Sequence, residues 1–249
     1  MGDYFMKELI SLKNIKKTFF SNQGEVKVLD DISFSMSNNE IVAILGPSGC
    51  GKSTILNILS RLENITSGEL NINCKLGYMF QKDNLMDWRN IFNNIILGLE
   101  VNHLKTPENL NYVNDLLKKY QLSDFKNYYP KELSGGMRQR VSLIRTLALK
   151  PDLLLLDEPF SALDYQTKLF VQNDVYSILK QEKKAALIVT HDISEAIALS
   201  NRIIILSHRP CKIKKIINIS FNEELTPLQR RTDLKFNDYF KTIHQELND

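Results

Sequence analysis

A run of small residues joins a predicted buried strand at residues 40–45 to a predicted helix at residues 55–62. The run reads Gly-Pro-Ser-Gly-Cys-Gly-Lys-Ser-Thr, and this strand, loop and helix setting is the one that a phosphate-binding loop, or P-loop, requires. Small residues let the backbone wrap a phosphate, so that its N–H groups and the helix N-terminus point at negative charge. Asn39 precedes the strand at a turn position that tolerates positive φ. This part of the chain is therefore predicted to be an α/β unit that holds a phosphate.

Every position of the loop is a candidate contact for a nucleotide. Lys52 adds a cation near the β- and γ-phosphates, and the Ser53 hydroxyl is suited to ligate Mg²⁺. The candidate nucleotide-binding residues in the loop are Gly46, Pro47, Ser48, Gly49, Cys50, Gly51, Lys52, Ser53 and Thr54. A glycine-rich turn that only caps a helix is the alternative. P-loops serve GTPases, kinases and many ATPases, so the loop alone does not identify the reaction.

Short apolar runs alternate with helical patterns along the rest of the chain. Strands are predicted, each after a helical segment as in right-handed βαβ units, at residues 153–156, 186–190 and 203–206. Residues 9–20 and 26–36 mix apolar and polar positions on either side of a turn at residues 22–24, which predicts an antiparallel pair. The predicted fold class is α/β, with a mostly parallel sheet covered by helices.

Two further segments are predicted to be helical. The first is an insertion at about residues 90–140, and the second is a tail at about residues 218–249. In the tail, Thr226 is a candidate helix cap with Pro227 at the first helical position. A packed terminal helix is predicted, with a regulatory element as the alternative, because one helical face carries Phe236, Tyr239, Phe240, Ile243 and Leu247. We expect a single domain over residues 1–249.

The composition limits the partners and the cell compartment. The chain has 249 residues with 32 Lys and Arg against 29 Asp and Glu, a net charge of +3 that is too even to indicate nucleic acid. Its longest apolar runs are far below the roughly 18 to 20 residues that span a bilayer, and its start lacks the apolar core of a secretory signal. The odd set Cys50, Cys74 and Cys211 has no metal-ligand spacing and predicts reduced thiols. We expect a cytoplasmic protein.

Two acids follow the apolar run at residues 153–156. Open α/β sheets place their ligands at the carboxyl ends of strands, where Asp157 and Glu158 stand. Asp157 is suited to hold Mg²⁺, and Glu158 is suited to polarise or deprotonate an attacking water. The alternative is a strand that ends in a polar Asp-Glu-Pro turn. After a P-loop, the pair predicts a hydrolytic site.

The sequence Leu-Ser-Gly-Gly at residues 133–136 opens a helical pattern that runs to about residue 149. Alone, Ser134 is adequately explained as a helix cap. In its order after the P-loop and before the two acids, the chain resembles the ATP-binding cassette (ABC) family, whose signature is this sequence. The resemblance covers about residues 9–217. It implies a RecA-like P-loop NTPase core, an antiparallel β subdomain and a helical signature lobe.

The resemblance also assigns roles to residues outside the P-loop. Phe19 matches the aromatic that stacks on adenine, with the neighbouring Phe20 as an alternative. Gln81 matches the glutamine that senses Mg²⁺ and the attacking water, and His191 matches the histidine that contacts the γ-phosphate. Asp164 lies in the segment matching the loop that crosses to the partner subunit. Each residue alone is more often structural, so their shared order carries the argument.

The resemblance further implies partners. In relatives, the residues matching Ser134 and Gly136, which flank Gly135, face the ATP held by the other subunit, so hydrolysis would need a homodimer with two ATP and Mg²⁺. One cassette without a membrane span implies separate integral membrane permease subunits, together with an extracytoplasmic solute-binding protein. No nucleic-acid partner is expected. These partners would place the chain on the cytoplasmic face of the cell membrane as a peripheral subunit.

Three segments bear on the direction of transport. Residues 93–100 and 206–210 resemble segments of the nitrate, sulfonate and taurine importer ATPases, whose relatives also carry pyrimidine precursors of thiamine. A polar turn after a strand is the alternative for residues 206–210. Residues 82–91 resemble the surface that receives a permease helix, and Trp88 within them is either a docking residue or lobe core. An ABC ATPase acting on ribosomes or DNA, and a non-hydrolytic ATP-gated regulatory subunit, remain alternatives to an importer ATPase.

Overall fold

The computed structural model describes residues 8–21, 24–222 and 224–248. Its strands form a three-stranded sheet and a six-stranded sheet, with helices packed around them. The turn predicted at residues 22–24 includes residues 22 and 23, which lie outside the described residues. The α/β class predicted from the alternating pattern is confirmed.

The three-stranded sheet is the predicted antiparallel unit with one strand added. Strands β1 (Glu8–Ser21) and β2 (Gly24–Ser37) pair antiparallel, as predicted, and β4 (Ser67–Ile72) pairs antiparallel with the other edge of β1. The residues of β4 were not predicted to form a strand. None of its six residues is fully buried, so its strand conformation depends on pairing with β1 rather than on an apolar pattern.

Gly68 of β4 gives a stability prediction. Its φ is 108°, and a Cβ there would lie 2.6 Å from the carbonyl oxygen of Asn14 and 2.7 Å from that of Lys13. Backbone atoms of a paired strand cannot move aside cheaply, so we expect Gly68→Ala to lower the free energy of unfolding by about 2 kcal/mol or more. Urea denaturation measures this loss. The exposed neighbour Ser67 is the control, and an equal effect of Ser67→Ala would contradict the explanation.

The six-stranded sheet contains every strand predicted for the core. Its spatial order is β5 (Leu76–Met79), β6 (Leu153–Asp157), β7 (Ala185–Val189), β3 (Ile41–Leu45), β8 (Arg202–Leu206) and β9 (Ile213–Asn218). The first five strands are parallel, whereas β9 pairs antiparallel with β8. All residues of β3 and β7 are buried, because helices cover both faces. Asn39 before β3 has a φ of 60°, as expected.

The helices of the described residues follow the predicted segments. They are α1 (Lys52–Leu59), α2 (Ile91–Ile95), α3 (Leu97–Val101), α4 (Pro107–Lys119), α5 (Gly135–Leu147), α6 (Tyr165–Gln181), α7 (Ile193–Leu199), α8 (Pro227–Arg230) and α9 (Leu234–Asn248). Short 3-10 turns lie between α4 and α5. Helix α1 ends three residues earlier than predicted, because the chain reverses at Arg61 with a φ of 60°. Thr226 caps α8 by accepting a hydrogen bond from the Gln229 N–H, as predicted.

Helices α2 to α5 form one layer with a buried interior shared by Val113, Leu116 and Leu117 of α4. Trp88, which precedes this layer, is 77% exposed, so the alternative that it belongs to the lobe core is wrong. Among the described residues, we find no helix that combines the length and the apolar character needed to span a membrane.

Candidate nucleotide site

The predicted P-loop connects the carboxyl end of β3 to α1. Gly51 has a φ of 130°, and a Cβ there would lie 2.8 Å from Leu29 and 3.0 Å from Val28, so the loop needs glycine at this point. Gly51 also precedes α1 without providing a side-chain cap. The first N–H groups of α1 are therefore suited to meet phosphate oxygens.

Lys52 is held over the loop by its own hydrogen bonds. Its side chain is nearly buried, and Nζ donates to the carbonyl oxygens of Gly46 (2.8 Å) and Pro47 (2.9 Å). Because this side chain is already ordered, its positive charge can bind a phosphate with little further loss of side-chain entropy. The ammonium thus stands where the loop would surround a phosphate.

Ser53 and Asp157, each predicted to hold Mg²⁺, lie within hydrogen-bonding distance of each other. The Ser53 hydroxyl donates to Oδ1 of Asp157 at 3.2 Å, and the Tyr78 hydroxyl donates to Oδ2 at 3.4 Å. Burial raises the pKa of the Asp157 carboxyl, and the hydrogen bond from Ser53 opposes this change. Adjacent hydroxyl and carboxylate oxygens are hard donors of the kind that Mg²⁺ prefers, so these residues fit this ion.

Glu158 lies between two other predicted residues. Gln81 donates through Nε2 to one carboxylate oxygen of Glu158 at 3.1 Å, and Nδ1 of His191 is 3.3 Å from the other. The three residues follow β5, β6 and β7, which are consecutive neighbours in the sheet. The Glu158 backbone has a φ of 43°, and its N–H donates to Val189 O at 2.9 Å. Parallel strand ends therefore bring together residues that are far apart in sequence.

The P-loop and Glu158 line an open cleft of about 250 Å³. Its lining consists of Ser48, Gly49, Gly51, Lys52, Ser53, Thr54, Glu158 and Arg209. The cleft provides a backbone cradle, a cation, the Ser53 hydroxyl and the Glu158 carboxylate. Asp157 contacts that hydroxyl, and His191 contacts that carboxylate. Such an arrangement can bind a nucleotide phosphate and position a water for attack on it.

Sequence reasoning did not assign Arg209 to this site. The residue lies in the turn after β8, and its guanidinium donates to the Gly49 carbonyl oxygen. The signal was indirect: β8 pairs with β3, so the turn after β8 must lie beside the P-loop. Two residues later, the buried Cys211 interacts with Cys50 of the loop and lowers the pKa of the Cys50 thiol, and Cys50, Cys74 and Cys211 are all free thiols.

The predicted adenine contact lies on β1, outside the lining of the cleft. Phe19 is 37% exposed, which excludes a core position, and Lys17 Nζ is 4.5 Å from its ring centre. Phe20 is 69% exposed, so accessibility alone does not decide between the two rings. Lys17 is fixed by a 2.8 Å ion pair with Glu63, and this leaves Phe19 next to a positioned cation.

The Ser134 and Asp164 segments lie together but apart from the cleft. Ser134 caps α5 by accepting from the Met137 N–H, and Asp164 caps α6 by accepting from the Thr167 N–H. Helices α5 and α6 pack on each other, with Gly136 against Thr167. In the described part of the chain, the cleft lining includes no residue of 134–136 and not Asp164.

Comparison with known proteins places these features in a family. The family model described as "ABC transporter" matches residues 29–161, more than half of the chain. The ABC transporter ATP-binding protein YtlC of Bacillus subtilis is 42% identical over 248 residues, which cover 96% of this chain and 95% of YtlC. The aliphatic sulfonates import ATP-binding protein SsuB of Bacillus cereus is 41% identical over 220 residues, which cover 84% of this chain and 85% of SsuB.

A solved structure extends the similarity to three dimensions. A dimeric, post-hydrolysis structure of the ATP-binding cassette MJ0796, bound to ADP and phosphate, matches with a TM-score of 0.72 and 30% identity. The match covers 86% of this chain and all of that one. The P-loop, the Leu-Ser-Gly-Gly segment and the paired acids therefore occur in this chain together with the fold of an ATP-binding cassette. This chain is an ATP-binding member of the ABC transporter family.

Proposed function

We propose that this chain hydrolyses ATP on the cytoplasmic face of the cell membrane and drives a solute importer, working as a single ABC domain over residues 1–249. The observation that carries the proposal is the position of Glu158, in contact with both Gln81 and His191 and beside the Ser53–Asp157 pair. A structural turn would not need a carboxylate, an amide and an imidazole converging at a phosphate-binding loop.

The reaction follows from the chemistry of the cleft. Lys52 and the N-terminus of α1 bind the ATP phosphates, while Ser53, Asp157 and Gln81 would hold Mg²⁺, which neutralises charge on the β- and γ-phosphates. Glu158 accepts a proton from a water that attacks the γ-phosphorus, and the bond to the β-phosphate oxygen breaks. His191 contacts the γ-phosphate from its position beside Glu158. The products are ADP and inorganic phosphate.

A second copy of the chain completes the site in this proposal. Ser134, Gly135 and Gly136 are not part of the lining of their own cleft. Ser134 is exposed, so in this proposal it contacts the ATP of a partner, with Gly135 beside it and Gly136 buried behind it. Asp164 would cross between the subunits, and Phe19 would stack on adenine. The dimeric state of the MJ0796 structure, at 30% identity, supports this arrangement.

The hydrolysis and the dimer are tested together. Purified chain with ATP and Mg²⁺ should release phosphate at a rate per chain that rises with protein concentration and levels off once dimers dominate. A rate per chain that stays constant across a hundredfold dilution through the dissociation range would argue against the dimeric mechanism. An absence of phosphate release, with a permease present, would favour the non-hydrolytic regulatory alternative.

The importer part of the proposal rests on similarity and on an exposed surface. The name of the Bacillus cereus relative describes import of aliphatic sulfonates, and this supports a small solute of the same kind. The candidate solutes are nitrate, a sulfonate, taurine or a pyrimidine precursor of thiamine. We propose integral membrane permease subunits and an extracytoplasmic solute-binding protein as partners. ATP hydrolysis by the purified complex should increase with one of these solutes and not with the others.

The segment around Trp88 has the properties of a docking surface. Its backbone is fixed from behind: Asn94 accepts from the Met86 N–H at 2.7 Å and donates to the Arg89 carbonyl at 2.8 Å. Asp83, at its start, forms a 2.9 Å ion pair with Arg138 of α5. The loop therefore presents a large exposed aromatic ring on a rigid support. This combination favours contact with a permease helix.

We expect Trp88→Ala to weaken binding to the permease by about tenfold or more, since a buried interface tryptophan commonly contributes about 2 kcal/mol. ATP binding by the isolated chain should not change, because Trp88 lies outside the cleft lining. Co-purification with the permease and nucleotide titration measure the two effects. Leu234, which is 88% exposed on the tail, provides the control variant Leu234→Ala. Equal permease binding by both variants would count against Trp88 as a docking residue.

A further inference from the structure

The residue after His191 belongs to a charged cluster that the proposed reaction does not use. The cluster joins three helical elements: Lys168 and Gln172 of α6, Asp192 and Glu195 at the start of α7, and Arg231 directly after α8 of the tail. It contains two cations and two carboxylates, mostly buried. Because a buried charge is costly without a partner, each member depends on the others.

Asp192 fixes the backbone beside His191 through three interactions. Its Oδ1 accepts from the Glu195 N–H at 3.1 Å, its Oδ2 accepts from Lys168 Nζ at 2.7 Å, and its own N–H donates to the Thr190 hydroxyl at 3.1 Å. Burial acts to raise the pKa of Asp192, but the hydrogen bonds from Lys168 and Glu195 and the charge of Arg231 together lower it. The Asp192 carboxylate is thus held in its ionised form.

Glu195 is the most deeply buried charge of the cluster, with 2% of its surface exposed. It lies 3.2 Å from Lys168 Nζ and accepts from Gln172 Nε2 at 3.2 Å. Burial raises the pKa of Glu195 to about 7, and the charge of Lys168 opposes this rise. Its ionised form therefore relies on the cations around it.

Arg231 supplies the second of those cations from the tail. Its guanidinium donates to Gln172 Oε1 at 2.8 Å, while Gln172 holds Glu195 with its other side-chain atom. Its position is fixed by the preceding Arg230, which is buried and donates to the Ala198 carbonyl and to the Tyr176 hydroxyl. The tail is thereby joined to α6 and α7 by charged hydrogen bonds.

His191 itself has little packing to hold it. Its side chain is 63% exposed, and its Nδ1 is 3.3 Å from a carboxylate oxygen of Glu158. An exposed side chain with one contact takes its position from the backbone that carries it. The backbone after His191 is held by Asp192. Asp192 is in turn held by its ion pair with Lys168, and the positive charge of Arg231 helps to keep the Asp192 carboxylate ionised.

We propose that Arg231 is a positioning residue of the tail that keeps His191 within reach of Glu158 through Gln172, Glu195, Lys168 and Asp192. This inference rests on the proposed function for its effect on ATP hydrolysis, but not for its effect on the geometry of His191. The tail then has a role in catalysis without contacting the nucleotide.

The geometric effect is measured by NMR of the imidazole groups. The chain has four histidines, so ring-labelled His191 can be assigned with His191→Ala as reference. We expect Arg231→Ala to shift the His191 signals while those of His103, His208 and His244 stay in place, which also reports a folded chain. Arg231→Lys should restore most of the shift, and Lys241→Ala, which removes an exposed charge of α9, should cause none. An unchanged His191 signal in Arg231→Ala would overturn the inference.

The kinetic effect separates positioning from general damage. We expect Arg231→Ala to lower kcat for ATP hydrolysis at least fivefold with the Kd for ATP within twofold, and Arg231→Lys to recover more than half of kcat. Equal losses of kcat and ATP affinity would contradict a positioning role. If Arg231→Ala does not fold, Gln172→Met removes both links of the chain at similar volume and must give the same result.

The two measurements keep the inference distinct from the proposed function. A His191 shift in Arg231→Ala, together with no ATP hydrolysis by the unaltered chain, would reject the proposed function and leave the structural link in place. Hydrolysis by the unaltered chain, together with unchanged His191 signals and unchanged kcat in Arg231→Ala, would reject only the inference.

Discussion

Replacing Glu158 by glutamine should lower the rate of ATP hydrolysis by about 100-fold or more while ATP binding is retained, because general base catalysis contributes about 10²- to 10⁴-fold. The amide has nearly the shape of the carboxylate but cannot accept the proton of the attacking water. Glu158 contacts Gln81 and His191. Lys52 is instead held by carbonyl oxygens of the P-loop and, among the described residues, makes no hydrogen bond to Glu158. Binding and catalysis should therefore separate in this variant.

Two measurements on Glu158→Gln test this result. Single-turnover release of labelled phosphate gives the hydrolysis rate, and gel filtration with ATP and Mg²⁺ should reveal a persistent dimer, since the closed state is no longer resolved by hydrolysis. Glu108→Gln is the control, because the Glu108 side chain is 84% exposed on α4. Turnover of Glu158→Gln at the rate of the unaltered chain would eliminate the assigned role of Glu158.

Lys52→Ala should weaken ATP binding by about 100-fold, a loss of about 2.7 kcal/mol, which lies within the range of hydrogen bonds to charged groups. Two effects act in the same direction. The variant removes the cation from the phosphate cradle, and it also frees the loop carbonyls of Gly46 and Pro47 that Nζ now holds in place. A preorganised loop becomes one that must be ordered by the ligand.

Titration with a fluorescent ATP analogue measures the effect of Lys52→Ala, and circular dichroism checks the fold. Lys75→Ala removes the same charge from an exposed position and should leave the affinity within twofold. Equal affinity of Lys52→Ala and the unaltered chain would mean that the cleft binds phosphate without this lysine, and the site would then need reassignment.

The P-loop and the paired acids were accessible to sequence reasoning because each depends on a short segment. The residues of β3 at 41–45 and the run at residues 153–156 are apolar throughout, as expected when helices cover both faces of a sheet. Their carboxyl ends must then carry the loop and the acids. A local sequence pattern is enough to predict a site residue when that residue directly follows a buried strand, because the strand then fixes its position.

Other features depend on pairing between distant segments and leave little trace in the sequence. The strands β4 and β9 lie at the edges of their sheets and have no fully buried residue, so their apolar pattern is weak. Arg209 belongs to the cleft only because β8 lies beside β3. Arg231 meets Gln172 across 59 positions of the chain. Such contacts are decided by topology rather than by local propensity.

The sequence also could not show whether the Trp88 side chain is exposed or buried. Trp88 fits a lobe core and a docking surface about equally well by composition. Asn94 holds the loop through hydrogen bonds to Met86 and Arg89, on either side of Trp88, and a lone asparagine in the sequence does not reveal this. The residue is therefore assigned by the backbone around it.

The position of β5 in its sheet has a mechanical consequence. Among the described strands, β5 pairs with β6 alone, over four residues, whereas β6 is paired on both sides. Gln81 follows β5, the strand paired on one side, and leads directly to the loop of Trp88. Glu158 follows β6, the strand paired on both sides. A force on that loop would bend one short ladder before it disturbed the sheet interior. A force on the Trp88 loop should therefore change the distance between Gln81 and Glu158 before it changes the pairing of the inner strands.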